Sequence, residues 1–122
     1  MYEVDLSAFD SGTNTEERCG VVLQSADGDY NVFELENRSP NPKNRFVISK
    51  ADAAQIDKRH GVIVGVVHTH PFRSMRTASQ HDINSIPAGL FGIVYHPSTG
   101  SKVWYDHNGV THEDLKRRRQ HG

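Results

Sequence analysis

The chain has 122 residues, a formal net charge of -1, 24% charged residues and a single cysteine. That length suits one domain, burying roughly 65% of the surface its unfolded chain would expose, and a single domain is expected. The near-neutral balance gives no general pull toward nucleic acid or anionic lipid, one cysteine excludes an internal disulfide framework, and neither an apolar run near 18 residues nor a charged-then-apolar leader is visible. A soluble, unexported, cytoplasmic protein with no nucleic-acid or membrane partner is expected.

Residues 1–15 lack helical periodicity, contain Ser-Gly-Thr-Asn and read as an irregular segment. The domain proper is expected over 16–112, followed by a basic tail at 113–122 whose Lys and three Arg read as a frayed, solvated end. Apolar runs at 20–25 and 30–35 flank Ala-Asp-Gly-Asp, a hairpin signal. Residues 37–45 read as loop, since Pro40, Pro42 and several Asn deny regular pairing. Ser49-Lys-Ala-Asp52 is a capping-box start, opening a helix to about His60 with Ala53 and Ile56 toward the core and Gly61 ending it. The β-branched run 62–67 predicts a buried strand. Further strands are expected at 90–95 and 102–105, joined by a turn at 96–100, and Asn108-Gly109 predicts a hairpin into a brief Val110-Thr111 segment. Strands alternating with one or two crossover helices predict an α/β fold, a mixed sheet with helices packed on it.

The strand at 62–67 delivers His68 and His70, two residues apart and so on one face, roughly 6.5 Å from each other. Pro71 biases His70 toward extended backbone, so the strand ends there and a polar loop leads to Ser79, which opens a helix projecting Asp82 from its first turn. Two His and one carboxylate form a recurring catalytic zinc set that leaves the fourth position to water. Such a site also needs a base for the water's proton and a donor for the developing oxyanion, and Ser79 is a candidate donor. Each piece has a plainer reading. Ser79-x-x-Asp82 is also a capping box, and His-x-His also occurs as a polar strand-end pair; capping and liganding can coexist.

Other chemistries fit less well. A cupin has a Glu about four residues past its second His, where this chain has Ser74, and a His-x-His amidohydrolase needs a (β/α)8 barrel of roughly 200 residues or more. Cys19 opens the apolar run Gly20-Val-Val-Leu23 and reads as a small buried hydrophobe rather than a nucleophile. His81 neighbours Asp82 and cannot face the same ion, so it reads as a rim residue. His60, His96, His107, His112 and His121 lie at element ends or in turns without a partner at ligand-like spacing, and no chemistry is assigned to them.

Taken together, His68-x-His70-Pro, a loop and Ser79-x-x-Asp82 resemble the JAMM motif of the JAB/MPN metallopeptidases. Glu17-Arg-Cys19-Gly20-Val-Val-Leu resembles the family's Glu-x-Cys-Gly-apolar opening of the first core strand, which singles out Glu17 rather than Glu16. Asn37-Arg-Ser-Pro-Asn-Pro-Lys-Asn-Arg-Phe46 is similar to a segment of stand-alone prokaryotic and phage members, including the amino-terminal domain of phage tail assembly proteins of the K type. The resemblance spans roughly residues 16 to 111, and the chain departs from the family in lacking a helical pattern before the glutamate.

What the resemblance implies is a β-α-β sandwich similar in arrangement to the cytidine deaminase fold, with Zn2+ held by His68, His70 and Asp82, Glu17 as general base and Ser79 as oxyanion donor. The implied reaction is hydrolysis of a peptide or isopeptide bond in a protein substrate, often after the Gly-Gly tail of a ubiquitin-like or sulfur-carrier protein, or in phage tail assembly, in the host cytoplasm or the virion. The alternative is a catalytically silent JAB/MPN scaffold or interaction domain, since fold does not imply activity. A small zinc-stabilised binding module is a third reading, but a structural site is normally closed by a fourth side chain. The intact motif favours the enzyme.

Overall fold

A computed structural model describes residues 4–12, 15–56, 58–70 and 77–115. The loop expected after Pro71 and the tail from residue 116, with His121, lie outside the described residues. Among the described residues, six strands, β1 (Cys19–Gln24), β2 (Tyr30–Leu35), β3 (Val62–Thr69), β4 (Phe91–His96), β5 (Ser101–Asp106) and β6 (Gly109–Asp114), form one sheet in the order β2-β1-β3-β4-β5-β6. Only β3 and β4 pair in parallel; the other neighbours are antiparallel. The parallel pair needs a crossover, supplied by the segment carrying the helix α2 (Gln80–Ser85). The fold is thus α/β with a mixed sheet.

Strand parity sorts the core into two faces. Cys19 pairs with His68 and Val21 with Val66, so these four side chains share one face, while Val22 and Val67 point to the other. The second face packs Val22, Val67, Ile93 and Trp104 against Val4, Leu6 and Phe9 of the amino-terminal segment. A 3-10 turn at Ser7–Asp10 carries Phe9, which is fully buried. Arg18 ties that turn down: its guanidinium donates to the carbonyls of Phe9 and Ser11 and forks onto the Glu34 carboxylate at 2.7 and 2.8 Å. Segment 1–15 has no α-helix among its described residues, yet it supplies much of one core.

Two expected elements differ in extent. The helix α1 (Lys50–Ala54) is capped by Ser49 as expected but stops well before His60, and a separate 3-10 turn occupies Lys58–His60. None of its residues is fully buried, so tertiary packing, which supplies most helix stability, does little to extend it. Gly61 has φ +124° and approaches the Gln24 carbonyl closely, where a Cβ would collide. At the far edge the hairpin turns through His107 and Asn108 instead of Asn108 and Gly109. Gly109 already pairs with Asp106, the Asn108 N–H donates to the Asp106 carboxylate at 2.8 Å, and β6 runs on to Asp114.

Candidate metal centre

The first face ends in a cluster of buried polar groups. β3 carries His68 on its core side, next to Val66 in parity, and His70 follows one residue beyond the strand, anchored by its N–H to the Tyr95 carbonyl at 3.2 Å. Glu17 lies two residues before Cys19 and therefore over the same end of the sheet. Its backbone is held at both groups: the N–H donates to the Pro42 carbonyl at 2.7 Å, and the carbonyl accepts from the Asn37 amide at 2.8 Å. Arg18 and Thr69 lock the two strands together beside it, Thr69 N–H to Arg18 carbonyl at 2.8 Å and Arg18 N–H to Thr69 hydroxyl at 2.9 Å.

Asp82 arrives from the third side. Ser79 is the N-cap of α2 and forms a full capping box with it: the Asp82 N–H donates to Ser79 Oγ at 3.0 Å, and the Ser79 N–H donates to Asp82 Oδ2 at 2.9 Å. The cap therefore aims the carboxylate, so capping and site-building coincide in the same two residues. Glu17, His68, His70 and Asp82 are all buried.

The interatomic distances can be compared with a metal's requirements. His68 Nε2 and His70 Nε2 are 3.1 Å apart, and Asp82 Oδ2 lies 3.3 Å from the first and 3.5 Å from the second. Ligand atoms at about 2.0–2.2 Å from a tetrahedral zinc sit about 3.3–3.6 Å from one another, so the triangle has nearly the edges zinc would impose. Glu17 Oε1 stands farther off, 4.0 Å from His68 Nε2. The ligand atoms of Glu17, His68 and His70 also fall within 4.8 Å of one another, which makes Glu17 a rival third ligand, but the Asp82 triangle is the tighter one. The wider spacing of Glu17 suits a group acting across a water molecule.

The electrostatics divide the two carboxylates. Burial and the nearby Asp82 charge, opposed by His70, push Glu17 up to about 7. Burial works against the Asp82 carboxylate too, but hydrogen bonds with His68 and His70 and the Ser79 N–H hold it well below the usual range. One acid is poised to exchange a proton and the other is kept as an anion. Burial also lowers His68, against the pull of Asp82, favouring the neutral imidazole a metal requires. Cys19 is fully buried, and burial raises its thiol to about 12, which disfavours the thiolate a nucleophile needs.

Sequence spacing missed two features. Asn37 makes four hydrogen bonds from one amide: it donates to the carbonyls of Glu17 and Arg45 and accepts from the N–H groups of Ser39 and Val47. The Asn-rich, Pro-rich loop is thus the strap that positions Glu17. His96, set aside as a turn residue, is buried with its ring edge-on to His70 at 5.5 Å. The parallel pairing of Thr69 with Tyr95 brings the following residues together, and only that pairing could have shown it. His81 is exposed. An apolar cavity of about 630 Å³, lined by Phe46, Val66, Ile86, Leu90 and Tyr105 among others, shares Asp82 as part of its wall.

No family model matches the sequence, and no curated protein matches it. The solution structure of protein DSY2949 from Desulfitobacterium hafniense is similar, with a TM-score of 0.67 over 93% of this chain and 90% of that chain at 19% identity. At that identity the likeness is one of fold.

Proposed function

We propose that this chain is a zinc-dependent peptidase or isopeptidase of the JAB/MPN type, with the β-α-β sandwich of that family. The observation that carries the reading is the triangle of His68 Nε2, His70 Nε2 and Asp82 Oδ2, with edges of 3.1, 3.3 and 3.5 Å and a buried glutamate 4.0 Å from its nearest corner. Three converging donors, with Glu17 the next group among the described residues and standing farther off at 4.0 Å, suit an open, catalytic site better than a closed structural one. Bound there, zinc would act as a Lewis acid and lower the pKa of water to about 7.

The chain's own residues account for the rest. Glu17 takes a proton from the attacking water, whose oxygen bonds to the scissile carbonyl carbon. Ser79 accepts the Asp82 N–H through a lone pair and still has its own proton to donate, so its hydroxyl steadies the developing oxyanion. As the C–N bond breaks, Glu17 returns the proton to the departing amine, leaving a carboxylic acid and an amine. His68 stays neutral, and Asp82 stays anionic. The apolar cavity beside Asp82 suits an apolar side chain near the scissile bond.

The test is hydrolysis of a Gly-Gly isopeptide model substrate by zinc-loaded wild type, His68→Ala and Glu17→Gln. Turnover in the wild type alone supports the reading. A wild type that takes up zinc and cleaves neither peptide nor isopeptide substrates would move the chain to the scaffold reading.

A further inference from the structure

Phe46, which also lines the apolar cavity, and His96 pack directly on the candidate ligands. Metal-binding histidines ordinarily donate their second ring N–H to a carboxylate, carbonyl or water, which fixes tautomer and ring orientation. His68 departs from this pattern: it is fully buried, and its Nδ1 meets no partner among the described residues. Its flat face is covered instead. Phe46 stacks on it with centroids 4.3 Å apart and planes 20° from parallel, and Tyr105 meets it edge-on at 6.2 Å. His70 meets it at 4.9 Å with the planes tilted by 57°, and His96 closes the row edge-on to His70 at 5.5 Å and 85°.

We infer that this row of rings is the positioning frame of the metal centre, with Phe46 fixing His68 by stacking where a hydrogen bond would ordinarily do so, and His96 bracing His70. The inference rests on the zinc-site reading above. The fold supports both ends of the row. Phe46 sits between Arg45 and Val47, whose carbonyl and N–H are both bonded to the Asn37 side chain at 3.0 Å, so its backbone is clamped. His96 follows Tyr95, whose carbonyl accepts the His70 N–H, so the end of β4 is fixed relative to His70. With no hydrogen bond on Nδ1, the His68 ring is held by packing on its faces and by the contacts of Nε2 with Asp82 and His70. Removing Phe46 opens one side, and the ring must then be ordered again each time metal binds.

The experiment is zinc titration by chelator competition for wild type, Phe46→Ala, Phe46→Trp, His96→Ala and His96→Phe, with thermal melts and a proton NMR spectrum of each metal-free protein. Phe46→Ala is expected to weaken zinc about 10- to 100-fold, the usual effect of losing an outer-shell partner. His96→Ala should give a smaller loss, and the flat-ring variants Phe46→Trp and His96→Phe should recover most of the affinity. If Phe46→Ala unfolds, Phe46→Leu, which keeps most of the apolar volume without a flat face, replaces it with the same expected loss. In the metal-free wild type the stacked ring should shift the His68 ring protons upfield, and Phe46→Leu should abolish that shift. Wild-type zinc binding matched by a folded Phe46→Ala or Phe46→Leu overturns the frame while the zinc reading stands. If the wild type takes up no zinc, the zinc reading fails by itself; the metal-free spectrum then decides the stacking, and an unshifted His68 overturns it.

Discussion

The two faces of the sheet are built by opposite rules. On one, Val22, Val67, Ile93 and Trp104 meet Val4, Leu6 and Phe9 in an almost wholly apolar contact. On the other, the apolar core of Val94, Val103 and Tyr105 gives way at one end to Glu17, His68, His70 and Asp82. Burying four ionisable groups side by side costs stability unless their charges and hydrogen bonds are matched. The contrast teaches that one face is organised to hold the sheet, while the other gives up apolar contact to bring ionisable groups together.

That contrast can be broken residue by residue. The largest effect is expected from Glu17→Gln, which should lower turnover by about 100- to 10,000-fold, the range for loss of a general base, while zinc content and melting temperature stay near wild type. Glu16→Gln should change little. If Glu16 proves essential and Glu17 dispensable by the same assay, the assignment of the base is wrong. Phe9→Ala, on the opposite face, should do the reverse. Truncating a fully buried aromatic costs about 3–5 kcal/mol of stability, read by denaturant unfolding, while turnover per folded molecule is preserved.

Ser79 sharpens the comparison because it belongs to both structure and site. Ser79→Ala should lose about 0.5–2 kcal/mol as a cap and about 100- to 1,000-fold in turnover as an oxyanion donor. Asn caps well but places its donor differently, so Ser79→Asn should keep most of the melting temperature and still lose turnover. Equal stability losses in both variants, with turnover per folded molecule unchanged, would make Ser79 purely structural. The smallest effect is expected from Glu34→Gln. The Arg18–Glu34 pair is partly exposed, such pairs contribute at most about 1 kcal/mol, and Arg18 keeps its carbonyl contacts with the amino-terminal turn.

The sequence made local features legible where a residue type permits few conformations. Ser49 and Ser79 both cap helices, and the alternation of His68 and His70 put both on one face at the end of β3, whereas Gly61 does not end α1, which stops at Ala54. Features set by long-range pairing were hidden. The contact of His96 with His70 depends on a parallel register across the crossover. The role of Asn37 depends on a loop folding back over Glu17. Segment 1–15 lacks a helical period because its buried residues Val4, Leu6 and Phe9 follow a 3-10 turn and its approach. The length of α1 was overestimated because its cap was readable while its lack of burial was not.

The central claim is the division of labour between two buried carboxylates, Asp82 holding the metal and Glu17 standing off to exchange protons. Zinc content of wild type, Glu17→Gln and Asp82→Asn, measured side by side on folded protein, tests it most directly. Asn at position 82 retains a side-chain oxygen for the Ser79 N–H, which keeps the cap out of the comparison. About one zinc per chain in wild type and Glu17→Gln, with little or none in Asp82→Asn, is the expected result. Zinc retained by Asp82→Asn and lost by Glu17→Gln would contradict it.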